Sequence, residues 1–327
     1  MKKLFNLLVV MLLAISLVAC SSTAPKTDPT PTPTSTPEVS GTVVVNVLDG
    51  TGTPIDVEFP VSPQKVACLN YQTVDFLDAM GLGHTIAGMI KEGSVPAHLQ
   101  SYVDNENIVN LGGMKDIDME VLMELEPEVI FSSDRTRKAY DKFSAIAPTM
   151  SAAVVYGTDF MEGYTNLANQ HAKIFGIEGQ VEEKIAGYND RIAKIAEVAN
   201  GSTALIGIFA GGINTLGNEG RCNILTTNMG FKNLQTENVN HGNISSYEAW
   251  LEINPDYMFV LDKDTAVGTE AVAAEEQMDN EVIKQTNAYK NGKIIYLTPG
   301  DVWYMADGGI TSLDLMLTNV ETGLGIK

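Results

Sequence analysis

The sequence predicts an α/β protein of two similar lobes, each built on a mainly parallel sheet, joined by one long α-helix with a ligand cleft between the lobes. Three observations carry that expectation. Short β-like runs alternate with helical patterns from residue 41 to residue 327. One helical stretch, residues 178–200, has a texture unlike its surroundings. A 13-residue pattern occurs twice, at an offset of 128 residues. A chain of 327 residues also has room for about two domains at roughly 100–200 residues each.

Residues 1–19 have the pattern of a cleavable export signal. Lys2 and Lys3 precede a mostly apolar run, residues 4–19, which ends in Leu17-Val18-Ala19-Cys20 before Ser21-Ser22. The run is shorter than the roughly 20 residues that a spanning helix needs. Small residues before a cysteine fit the bacterial lipoprotein kind of signal, so Cys20 is expected to carry lipid and hold the chain on the outer face of the cytoplasmic membrane. Residues 20–40 form a tether. Five prolines among Thr and Ser, from Ala24 to Val39 in the sequence, favour an extended, semi-rigid chain over a packed one.

The N-terminal lobe is assigned to residues 41–177. It opens with alternating apolar residues on either side of Asp49-Gly50-Thr51-Gly52, a hairpin signal. A short strand at 65–69, an amphipathic stretch at 73–80 and a β-like run at Val129-Ile130-Phe131 follow. The linking helix is assigned to 178–200, because Val181, Ile185, Tyr188, Ile192, Ile195 and Ala199 recur at steps of three and four. Asn200-Gly201 supplies residues favoured just past a helix end. At 1.5 Å per residue it would span about 30 Å. The C-terminal lobe, 201–327, has β-like runs at 204–209, 257–261 and 294–297. In the repeat, Met119-Glu120 through Glu126-Pro127-Glu128 matches Tyr247-Glu248 through Asn254-Pro255-Asp256, each a short helix, a proline break and a strand.

Composition narrows function. The apolar fraction of 44% with 19% charged residues is that of a globular chain. Twenty-one Lys and Arg face 41 Asp and Glu, a net charge of −20. That excess argues against a nucleic-acid partner, which needs cations to displace phosphate counterions. Loss of Lys2 and Lys3 with the signal leaves 19 basic residues against the same 41 acidic ones, a net −22. Cys68 and Cys222, about 150 residues apart, are expected to be free and structural.

On these residues the chain resembles a known family over residues 41–327: the helix-linked, two-lobed (class III) substrate-binding lipoproteins of bacterial ATP-binding-cassette importers for ferric siderophores, haem and cobalamin. The resemblance rests on the hairpin followed by Val61-Ser62-Pro63-Gln64-Lys65-Val66, on Leu77-Asp78-Ala79-Met80-Gly81-Leu82-Gly83, and on the duplicated segment. Residues 129–148 and 293–309 look most like the binders of ferric catecholate siderophores. The resemblance implies that Glu120 and Glu248 dock onto arginines of the permease, one carboxylate per lobe. It implies that Arg135, Arg221 and Lys263 hold the anionic ligand; Lys263 departs from the arginine of the relatives and lacks its planar fork. His241 and Tyr304 match positions that ligate iron when the siderophore leaves coordination sites vacant. Phenolate and imidazole could complete a six-coordinate ferric shell around four catecholate oxygens.

The residues add their own reading. Arg135 and Lys263 follow strands directly, and ligands of parallel sheets bind beyond the carboxyl ends of strands. Tyr71, after the first buried strand, and Trp303, beside Tyr304, are expected among the residues lining the cleft. Arg137 is expected on a helix face, and His84, His98 and His171 at surface or structural positions. The expected protein is a monomeric receptor without catalysis and without an intrinsic cofactor, iron arriving only inside the siderophore. A haem or corrinoid binder of the same fold is the alternative, with a surface-anchored hydrolase more remote. No Gly-x-Ser-x-Gly, His-Glu-x-x-His or phosphate-loop motif supports the last.

Overall fold

The computed structural model describes residues 41–156, 159–237 and 243–326, so the expected export signal, Cys20, the expected tether and His241 lie outside the described residues. Strands β1 (Thr42–Leu48) and β2 (Pro54–Pro60) form the expected antiparallel hairpin, with Thr42 opposite Pro60 and Leu48 opposite Pro54. Its turn is tied by Asp49, whose Oδ1 accepts from Thr51 N at 2.7 Å and Thr53 N at 2.8 Å. An aspartate that bonds its own following backbone is a standard way to close a turn.

The first lobe is a five-stranded, wholly parallel sheet. It contains β3 (Val66–Cys68), then α1 (Tyr71–Ala79), β4 (Ile86–Met89) and β5 (Val109–Asn110). Helix α2 (Met119–Leu125), β6 (Val129–Ser132), β7 (Thr149–Ser151) and α3 (Phe160–Phe175) complete it. The strand order is β5-β4-β3-β6-β7. Val66, Ala67 and Cys68 are buried, as are Val129, Ile130 and Phe131, because helices cover both faces of a parallel sheet. Helix α1 begins two residues earlier than the sequence pattern suggested, where the Asn70 side chain accepts from Thr73 N at 2.8 Å.

The linking helix α4 (Glu178–Ala199) buries the six residues its periodicity picked out. Asn200, at φ 43°, ends it in the left-handed region. The second lobe comprises β8 (Thr203–Phe209), β9 (Ile213–Leu216), β10 (Lys232–Asn233), β11 (Asn243–Ile244) and α5 (Tyr247–Ile253). Then come β12 (Tyr257–Asp262), α6 (Lys263–Ala266), β13 (Ile294–Tyr296), α7 (Gly300–Met305) and α8 (Ile310–Leu324). Its sheet runs β11-β9-β8-β12-β13, with β10 also on β8; the β8–β9 and β9–β11 pairs are antiparallel and the rest parallel.

The internal repeat is structural. Asp118 and Ser246 cap α2 and α5, and Glu126 and Asn254 end them at the same φ 46°, ψ 59°. The acid after each proline ties down the first strand of its own lobe. Glu128 Oε2 accepts from Lys65 N at 2.8 Å, and Asp256 Oδ2 accepts from Thr203 N at 2.9 Å.

Helix α8 leaves the second lobe and packs on α1 and α4. Asp75 of α1, wholly buried, caps it: its carboxylate accepts from Thr311 N at 2.7 Å, Ser312 N at 2.9 Å and Ser312 Oγ at 2.6 Å. His98 Nε2 donates a further bond to Oδ2 at 2.7 Å. Farther along, Arg191 of α4 bridges Asp314 at 2.5 Å and Glu321 at 2.6 Å, and Tyr188 Oη donates to Ile310 O at 2.8 Å. A carboxylate accepting several donors at a helix N-terminus meets both the free amides and the helix dipole. Asp75→Ala should therefore destabilise the protein by about 2–3 kcal/mol, measured by urea unfolding.

His171 is buried at 1% exposure, stacked on Phe76 and Phe131 with ring centroids 4.7 Å and 5.1 Å away. Its Nδ1 donates to Leu167 O at 2.9 Å, so Nε2 accepts from Thr73 Oγ1 at 3.0 Å. Burial pushes its pKa down to about 4 from 6.5. The unfolded chain binds this proton more readily, so stability falls as the pH drops through the window between 6.5 and about 4. His171→Gln should flatten the stability profile across that window, read from melting temperature against pH.

Candidate ligand-binding site

The site forms where loops that follow strands in the two lobes meet. After β6 the chain enters a short 3-10 helix, Asp134–Ala139, held at its start by Ser133 and Thr136, whose hydroxyls lie 3.0 Å apart. Arg135 is thereby exposed at the second position of this turn. In the other lobe, Gly220 at φ 95° and Cys222 at φ 63° bend the chain sharply around Arg221. Cys222 therefore lies in a turn ahead of a four-residue helix, Ile224–Thr227. Both Cys68 and Cys222 are free and buried, and burial pushes the Cys222 thiol up to about 12.

The two arginines converge on Tyr304 of α7. The Arg221 guanidinium carbon lies 4.1 Å from the Tyr304 ring centroid and that of Arg135 lies 5.9 Å away. Arg221 Nη1 also donates to the Tyr304 carbonyl oxygen. Cations over an aromatic face are attracted by its quadrupole, which keeps both guanidiniums at the half-buried ring. Burial works against the charge of Arg221, but acidic groups around it, the Asp307 carboxylate among them, outweigh it and raise its pKa above the ordinary value.

Lys263 is placed differently. It is the first residue of α6, its Nζ lies 3.2 Å from Asp264 Oδ1, and the other Asp264 oxygen accepts from Gly211 N at 2.6 Å. Two of the three expected cations thus meet at Tyr304, while the third is paired with its neighbour. Arg137 bonds Asp134 at 3.2 Å and lies against the β1–β2 turn near Gly52.

Two expected lining residues belong to the core instead. Tyr71 is 1% exposed and Trp303 wholly buried. A position just after a strand locates a Cα, not the direction of its side chain; Tyr71 opens α1 and turns inward, and Trp303 faces inward on α7 where Tyr304 faces out. Burial pushes the Tyr71 phenol up to about 12. Glu120 and Glu248 are exposed in the first turns of α2 and α5, and neither makes an ion pair among the described residues.

Sequence reasoning missed a buried carboxylate three residues after Tyr304. Asp307, 3% exposed, accepts from Gln72 Nε2 at 3.1 Å through Oδ1 and from the Tyr156 hydroxyl through Oδ2. Gln72 and Tyr156 come from the first lobe and Asp307 from the second. The signal available was Asp307-Gly308-Gly309 itself. A Cβ on Gly308 would lie 2.9 Å from Val154 Cγ2, and one on Gly309 2.3 Å from Asp75 Cγ, so the glycines mark where the lobes touch.

Comparison with known proteins agrees with this architecture. The family model described as periplasmic binding protein matches residues 66–300. The petrobactin-binding protein YclQ of Bacillus subtilis is 32% identical over an alignment of 333 positions, gaps included, that covers 99% of both chains. The ferric-anguibactin-binding protein FatB of Vibrio anguillarum is 28% identical, covering 88% of this chain and 92% of its own. Among solved structures, YclQ superposes with a TM-score of 0.79 at 29% identity, covering 87% of this chain and 99% of its own. The periplasmic catecholate-siderophore binding protein VctP of Vibrio cholerae superposes with a TM-score of 0.78 at 26% identity, covering 86% of this chain and 100% of its own. A two-lobed fold with a long linking helix, a family model spanning most of the chain and full-length relatives lead to one conclusion: the chain belongs to the periplasmic binding protein family.

Proposed function

We propose that this protein is an extracytoplasmic receptor that captures a ferric siderophore of the catecholate class and delivers it to an ATP-binding-cassette importer. The observation that carries the proposal is the convergence of Arg135 and Arg221, one from each lobe, on the half-buried ring of Tyr304. Ferric catecholates are anionic, and an exposed and a half-buried guanidinium at one ring offer charge-assisted hydrogen bonds to their oxygens. Tyr304 would complete the iron shell through its phenolate oxygen, a hard donor suited to ferric iron, with His241 as its partner. The names of YclQ, FatB and VctP, which refer to petrobactin, ferric anguibactin and catecholate siderophores, support this ligand class. Lys263, paired with Asp264, is a lesser contributor to ligand charge.

Glu120 and Glu248 would meet the permease. Their equivalent places on two helices with matching caps suit a surface with two-fold symmetry. Cys20 would carry the lipid that holds the receptor, as a monomer, at the membrane.

Two experiments test the proposal. Tryptophan fluorescence is titrated with a ferric catecholate, a ferric hydroxamate, haem and cobalamin. The ferric catecholate is expected to quench and bind; binding of haem or cobalamin alone contradicts the ligand class. Arg221→Ala should weaken ferric catecholate binding by roughly tenfold or more. In cells, Glu120→Lys with Glu248→Lys should abolish siderophore-dependent iron uptake while leaving ligand affinity in vitro unchanged, because rim charges set encounter and register with a partner.

A further inference from the structure

The buried carboxylate of Asp307, which interacts electrostatically with Arg221, has a consequence for which complexes the site accepts. Both Asp307 oxygens act as acceptors, one for the Gln72 amide and one for the Tyr156 hydroxyl, which is the arrangement of an ionised carboxylate. Burial keeps the Tyr156 phenol protonated and donating. Burial is the largest influence on Asp307 and leaves its pKa above the ordinary carboxylate value, with Arg221 and the two donors pulling the other way. Its charge is 3% exposed and lies within electrostatic reach of Arg221. Surface acids of this chain are screened over about 8 Å of salt solution; a charge sealed between the lobes is not, and acts through a medium of lower dielectric constant.

We propose that Asp307 is the charge-selecting residue of the site: it offsets part of the Arg221 charge, so that ferric complexes of low net negative charge are preferred over more highly charged ones. The inference rests on the ferric siderophore reading and deepens it. A ferric ion held by three catecholates is a trianion and one held by two is a monoanion. A fixed negative charge close to both penalises the trianion more. The two-catecholate complex is also the one with coordination sites left for Tyr304. Gln72 and Tyr156 hold the carboxylate, and the glycines at 308 and 309 let the chain beside it pass close to Val154 and Asp75.

The test is the ratio of affinities for two probes, a ferric complex of a linear tetradentate bis-catecholate and a ferric complex of a hexadentate tris-catecholate, measured by fluorescence quenching. Asp307→Asn keeps the shape and removes the charge; Asp307→Ser replaces it if the asparagine variant does not melt cooperatively. The ratio is expected to move toward the tris-catecholate complex by a factor on the order of ten. Tyr156→Phe removes a hydrogen bond and leaves the carboxylate, so its ratio should stay near that of the parent. A ratio unchanged by the loss of Asp307, or shifted as much by Tyr156→Phe, overturns the inference and leaves the ligand class standing. A parent protein that binds neither probe overturns the siderophore reading and this inference together.

Discussion

One carboxylate fixes how the two lobes meet. Asp75 belongs to the first helix of the first lobe, yet it supplies the N-terminal cap of the last helix, which arrives from the second lobe. The helix it holds begins three residues after Asp307 and six after Tyr304. Moving α8 would therefore move the ring on which the arginines converge. The same helix is tied to the linking helix by Arg191, through Asp314 and Glu321. Two helices thus cross between the lobes, where the sequence pattern revealed one. A doubly braced junction favours small adjustments of lobe position over wide hinge closure, and it delivers a site whose charged groups are already in place.

The charge of the whole chain and the charge of the site are different quantities. A net charge of −20 describes the shell. Screening confines each surface acid to its own neighbourhood, so the shell aids solubility and has little say at Tyr304. At the site a handful of groups decide: two guanidiniums at one ring, a lysine already paired with Asp264, and the buried Asp307 interacting with Arg221. The acidity that excluded nucleic acid at the outset is thus compatible with a site for an anionic cargo.

The parts of the fold that were legible in the sequence are those governed by local rules. The apolar steps along 178–199 named the buried face of the linking helix residue by residue, because periodicity and burial are the same fact seen twice. The repeat at an offset of 128 residues foretold two helices whose caps share the same backbone angles. Arg135, Arg221 and Tyr304 were singled out in the sequence, Arg135 and Tyr304 from segments that follow strands, and the structure brings the three side chains together. Tyr71 and Trp303 were misplaced, because side-chain direction depends on which face of the next helix packs inward. The pairing of Lys263 with Asp264 and the meeting of Gln72, Tyr156 and Asp307 were not visible. The second of these joins residues more than 150 positions apart, where no local pattern reaches. Only the glycines at 308 and 309 hinted at it.

The proposed receptor would hold iron at the ring shared by the two arginines. An anomalous-difference map from crystals grown with a ferric tetradentate bis-catecholate tests it most directly. One iron peak is expected within bonding distance of the Tyr304 hydroxyl oxygen, with catecholate oxygens against Arg135 and Arg221. An iron peak remote from Tyr304, with the guanidiniums of Arg135 and Arg221 free of ligand, would contradict it.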